Sequence, residues 1–294
     1  EVPLSLYAIS KFSRGSYQEV VAAILEDKSF VVREDYNFGV PAKLDYESSF
    51  VLSYAAAELL FILSVDVNIF SNANVYIPKS LITELKEEKE QIIKEYDRET
   101  VASLSMIEGK FYLNEANEDT KNKQMEFSVN FLEYCEQLPQ LEGTDNVVIK
   151  QISEDNILKL IGVVDYDAIS ICKEKGFILV SLEMLLTQLV FLSELPIKVC
   201  NILEFLDRKI YSCAELLTYM NKLVDYRIIN VINANILLKI AHSEESGVDQ
   251  LWMTFLQTID NTEGDYRKIL ANELGIIGRN AIEREENVDG KRIS

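Results

Sequence analysis

Three short apolar runs constrain the fold more than anything else in the chain: FVL at 50–52, NVYI at 74–77 and FILV at 177–180. Each is rich in β-branched or aromatic residues and too short to be a helix. A fourth run of the same kind, VVIKQI, occupies 147–152. Uniformly apolar runs of this length suit strands buried on both faces, and strands that alternate with helices pair in parallel beneath two helical layers. The intervening segments supply those helices. AAAELLFIL (55–63) is a strong helix former, and PKSLITELKEEKEQIIKEYDRE (78–99) has Pro78 in its first turn and Leu81, Leu85, Ile92 and Ile93 along an apolar side. FSVNFLEYCEQL, EDNILKLIG, DYDAISICKEK and EMLLTQLVFLSEL continue the alternation, while NEANEDTKNKQME reads as a solvated loop or a helix start. The expected class is therefore α/β, a three-layer α/β/α domain with a central parallel sheet over residues 46–195.

After Pro196 the pattern changes. KVCNILEFLDRKI, SCAELLTYMNKLVDY, NANILLKIAH, VDQLWMTFLQTID and DYRKILANELGIIGRN all place apolar residues at helical spacing, predicting an all-α C-terminal subdomain over 196–294 that ends in a polar, frayed tail. Residues 1–45 read as an N-terminal extension, with a helix capped by Ser16 and a short strand in SFVVRE. The chain opens on Glu1 without methionine, so a piece of a longer polypeptide is expected. A purely helical scaffold is the alternative architecture if the short apolar runs are not strands.

Composition narrows the chemistry. The longest apolar run, VLSYAAAELLFIL, is too short to span a bilayer, so no membrane partner is expected. Four cysteines carry no C-x-x-C spacing and read as reduced, packed thiols of a cytoplasmic protein. The net charge of -19 disfavours nonspecific nucleic-acid binding, which is driven by Lys and Arg displacing counterions. With a single histidine, His242 at the end of an apolar helical run, Ser-His-Asp and Cys-His catalysis are both disfavoured. Any catalysis has to rest on carboxylates.

Three of those carboxylates fall at or near the carboxyl ends of expected strands, where ligands of parallel sheets bind. Glu84 lies in the helix after NVYI, Asp165 opens the helix before FILV, and Glu183 directly follows FILVSL. Oxygen ligands of this kind suit Mg²⁺ or Mn²⁺, which can activate water against a phosphodiester. Each also has a plain structural reading. Glu84 can pair with nearby lysines, Asp165 can cap its own helix, Asp167 can complement that helix's dipole, and Glu183 can open the next helix.

The segments VYIPKSLITEL, DYDAISICKEKG and LVSLE resemble, in order and spacing, the acidic motifs of PIN-domain ribonucleases. The wider pattern is similar to bacterial multidomain proteins in which a PIN unit is joined to helical repeats. The resemblance covers roughly 46–195 and implies Glu84, Asp165 and Glu183 as metal-holding, catalytic residues, with Mg or Mn as cofactor and RNA as substrate. The chain departs from the family where the first strand should end in aspartate: Ser53 stands there, a weak ligand at best. A longer glutamate, Glu183, also replaces the usual fourth Asp or Asn. Glu58, one turn past Ser53, is a candidate replacement acid or else a solvated helix glutamate, and Lys79 or Lys43 is a candidate phosphate contact. The resulting expectation is a degenerate PIN-like domain, catalytically impaired, that serves as a scaffold or protein-interaction module. Its partner would be another protein or the remainder of a larger polypeptide, and it would need no cofactor. The alternative is an active Mg- or Mn-dependent endoribonuclease.

Overall fold

A computed structural model of the chain describes residues 48–70, 74–96, 102–107, 110–115, 118–144, 154–182, 184–192, 195–209, 212–225, 234–243 and 245–260, and α-helices and strands follow one another through them. They are β1 (Phe50–Leu52), α1 (Tyr54–Ile62), β2 (Val75–Pro78), α2 (Lys79–Tyr96), β3 (Ala102–Ile107), β4 (Lys110–Glu115), α3 (Glu118–Glu136), β5 (Gln140–Leu141) and α4 (Glu154–Lys175). The chain continues with β6 (Ile178–Val180), α5 (Met184–Leu192), β7 (Lys198–Cys200), α6 (Ile202–Lys209), α7 (Cys213–Asp225), α8 (Ala234–Ala241) and α9 (Val248–Asp260). The N-terminal extension with Ser16 and SFVVRE, Lys43, VVIKQI, Glu183, DYRKILANELGIIGRN and the tail lie outside the described residues.

Five strands pair in parallel in the order β5-β2-β1-β6-β7. The chain enters at the central strand β1, works outward through β2 to β5, then returns to the other side of β1 for β6 and β7. The α/β reading and the parallel pairing of FVL, VYIP and ILV are present as the apolar runs require. A separate ribbon, β3 with β4, is inserted between α2 and α3 and pairs antiparallel from Ala102↔Glu115 to Ile107↔Lys110.

Alternation along the strands divides the core into two layers. Phe50, Leu52, Val75, Ile77, Ile178, Val180 and Cys200 point to one face and pack with α1, α2, α3 and the helices that follow β7. Val51, Tyr76, Leu179 and Val199 point to the other, against α4 and α5. The first layer runs without interruption from Phe50 to Phe255, so helices α6 to α9 and the sheet share one core. Phe50 meets the ring of Phe205 at 5.2 Å, and Lys222 donates to the Leu63 carbonyl at the end of α1 at 2.5 Å.

Several local readings are corrected. KVC, which helical spacing places at the start of a helix, is β7, an edge strand in which Lys198 stays exposed and Cys200 is buried. Three residues are too few to display a strand period. Pro78 closes β2 rather than opening α2, and Ile93 is exposed while Ile92 is buried. The break foreseen between EDNILKLIG and DYDAISICKEK is there: Gly162 takes φ 79 and ψ 169 and kinks α4. Gly176, at φ 69, then stops that helix, with the Phe177 N–H turning back to the Cys172 carbonyl at 3.2 Å. Among the described residues no helix is long and apolar enough to cross a membrane.

Candidate functional site

The register of the sheet builds the candidate site. Leu52 pairs with Val180 and Val180 with Cys200, so the next residues, Ser53, Ser181 and Asn201, lie side by side at the carboxyl ends of β1, β6 and β7. This is the point where the strand order reverses, the usual ligand crevice of an open parallel sheet. All three side chains are fully buried. The Ser53 N–H still bonds the Val180 carbonyl at 3.0 Å, and the Ser181 N–H bonds that of Cys200 at 3.1 Å.

Two of the three polar residues cap helices. Ser53 Oγ accepts from the Ala56 N–H at 3.2 Å, and its own carbonyl accepts from the Ala57 N–H, which starts α1. Asn201 Oδ1 accepts from the Glu204 N–H at 2.6 Å while Glu204 Oε2 accepts from the Asn201 N–H at 3.4 Å, a reciprocal cap on α6. The Asn201 Nδ2 is buried and finds no hydrogen-bond partner among the described residues.

Asp165 joins this row from α4. Its carboxylate is 2% exposed, and Oδ1 accepts from the Tyr54 N–H at 2.8 Å, across 111 residues of sequence. The expectation that Asp165 caps its own helix is thereby corrected. Its helix resumes after the Gly162 kink, ahead of Asp165, and the bond goes to the first turn of α1. One carboxylate and one hydroxyl thus converge on the amino end of α1, where exposed amides and the helix dipole favour a negative charge. Asp167, two residues on, is half-buried. Burial pushes its carboxyl up, the Ser80 hydroxyl pulls it back, and Glu142 adds to the rise.

The remaining sequence candidates are placed differently. Glu84 is half-buried in the second turn of α2, and Glu183 lies outside the described residues. Lys79, offered as a phosphate contact, is exposed and pairs with Glu142 at 3.5 Å. Among the described residues no group of three His, Cys, Asp or Glu side chains is placed to hold a metal ion. At the strand ends those residues offer one carboxylate, two serine hydroxyls and an amide oxygen. Asp165 Oδ1, Ser53 Oγ and Asn201 Oδ1 are each accepting a backbone N–H already. Without Glu183, this described set is poorer in negative charge than the oxygen cages that hold Mg²⁺ or Mn²⁺.

A second polar group was not legible as such in the sequence. Glu58, one turn past Ser53 on α1, is 1% exposed, and among the described residues neither carboxylate oxygen makes a hydrogen bond. The reading of Glu58 as a solvated helix glutamate is corrected. It lies with Tyr54 of its own helix, Glu88 of α2 and Cys135 of α3; the Tyr54 phenol donates to Glu88 Oε2 at 2.9 Å. Burial, reinforced by Glu88, holds the Glu58 carboxyl well above its ordinary range. Burial, then Glu88 and Glu58, does the same to the Tyr54 phenol. The signal available in the sequence was the company Glu58 keeps. In YAAAELLFI every other residue is apolar or a tyrosine, and a helix apolar all round is buried on every side.

Comparison of the chain with family models, with curated proteins and with solved structures gives no match.

Proposed function

We propose that this chain is a PIN-like α/β unit whose acidic site has been turned over to holding the fold, and that it acts as a scaffold or protein-interaction module. The observation that carries the reading is Asp165. A catalytic metal would require this carboxylate to face an open coordination position. Its Oδ1 instead accepts a backbone N–H of α1, beside a serine where the resemblance calls for an aspartate. The central parallel sheet, the order of Glu84, Asp165 and Glu183, and the location of Ser53 and Asp165 at the strand-order reversal support the PIN-like part of the reading. The missing acid and the absence of a three-acid group among the described residues support the non-catalytic part. The helices after β7 are the natural partner-facing surface, since function on such folds resides in what is added to the sheet. Four free, buried thiols suit a reducing, cytoplasmic setting.

The test is incubation of the purified chain with single-stranded RNA and Mn²⁺, beside an Asp165→Ala variant. Near-zero cleavage by both is expected. Cleavage by the parent chain that disappears in the variant would replace this reading with the endoribonuclease.

A further inference from the structure

We propose that Glu58 is a proton-operated latch on the first turn of α1, which loosens that turn, and with it the Asp165 cap, when the carboxyl ionises. The geometry rests on one residue that serves two places. The Tyr54 backbone N–H is held by Asp165 at the carboxyl end of β1, and its phenol is held by Glu88 beside the buried Glu58. Glu58 is one helical turn from Tyr54, so hydrating one carboxylate means moving the turn that carries the other bond.

The groups facing Glu58 are the Tyr54 phenol from its own helix, the Glu88 carboxyl from α2 and the Cys135 thiol from α3. Among the described residues no hydrogen bond or ion pair reaches either Glu58 oxygen, and the three neighbours offer no cation to balance a charge. A protonated Glu58 is tolerated in this apolar surrounding, while an ionised one must be solvated. The sign follows from that. With Glu58 raised in the closed state and ordinary in the open state, the open state releases a proton. Opening is suppressed below the ordinary value of 4.5 and grows about tenfold per pH unit above it, until the pH passes the closed-state value. Phe131, packed on the Tyr54 ring at 6.2 Å, and the β1 residues beneath keep the rest of the layer closed. The opening is therefore local. This rests on α1 and its neighbours and is independent of whether the strand-end residues cleave RNA.

Amide hydrogen exchange followed residue by residue between pH 5 and pH 8, corrected for the intrinsic exchange rate, reads the latch directly. Protection at the Tyr54, Ala56 and Ala57 amides should fall by up to tenfold per pH unit, while amides of β6 and α9 hold and Trp252 fluorescence stays constant. In Glu58→Gln, which keeps the shape and removes the charge, the first-turn protection should be flat with pH. Glu58→Met serves as a second neutral variant should the glutamine fold poorly. The proposal is overturned by a flat response in the parent chain, by the same slope in parent and neutral variants, or by β6 amides losing protection together with α1.

Discussion

Asp165→Ala separates a structural carboxylate from a catalytic one by the sign of its effect on stability. In the present geometry the side chain supplies a charge-assisted bond of 2.8 Å to a buried helix amide. Such bonds contribute about 1.5–3 kcal/mol, and deleting one partner also leaves a buried N–H without an acceptor. Relief of the cost of burying the carboxylate offsets part of this loss. A net destabilisation of about 2 kcal/mol follows, at the upper end of what losing a helix N-cap costs. With a urea slope near the top of the usual range, about 3 kcal/mol per molar, the midpoint of unfolding should fall by roughly 0.7 M. Asp165→Asn keeps an acceptor without the charge and should lose about half as much. Ser53→Ala removes the other cap on the same helix and should cost about 1 kcal/mol. Because both residues act on α1, their double variant should depart from additivity. Equilibrium urea unfolding, monitored by far-ultraviolet circular dichroism, measures all four. In a working metal site the acids repel one another when no ion is present, and removing one stabilises the fold. An Asp165→Ala protein as stable as the parent, or more stable, would refute the capping argument.

Two further outcomes follow from packing. A Cβ on Gly143 would lie 2.7 Å from Ser170 Oγ and 2.8 Å from Ser170 Cβ on α4, so Gly143→Ala should cost about 1–3 kcal/mol in the same unfolding experiment, and trimming Ser170 to glycine should restore part of it. Cys135 and Cys172 are buried, and burial drives both thiols far above their ordinary range, so neither should react with a thiol-specific disulfide reagent in the native chain. All four thiols should react once the chain is unfolded in urea; rapid labelling of either residue under native conditions would contradict the packing described.

How much of this was legible in the sequence differs from element to element. FVL, VYIP and ILV announce themselves because a strand covered on both faces has no polar residue to interrupt it, and the Gly162 and Gly176 punctuation marks the two halves of α4. β7 does not, since an exposed Lys198 and a half-buried Val199 give no pattern within three residues. Ser53 and Asp165 could be placed near strand ends by spacing alone. The bond from Asp165 to the Tyr54 amide could not, because nothing local in either segment refers to the other. Glu58 hides its burial for a different reason. A glutamate on a helix is ordinarily solvated, whereas the helix around this one is apolar on all sides. Burial belongs to the segment before it belongs to the side chain.

The continuity of the first core layer also bears on how the chain is made. Its central strand is completed by partners from the far end: Phe205 against Phe50, and Lys222 on the last carbonyl of α1, a pairing 159 residues apart. At the usual 5–20 residues per second of synthesis, Leu63 leaves the ribosome roughly ten seconds or more before Lys222 does. Through that interval the apolar face of β1 and α1 has no cover from α6, α7 or α9. Contacts between distant segments are slow to form, and unfinished apolar faces aggregate. Completion of this layer therefore waits on α6, α7 and α9, which are made long after the strand they cover.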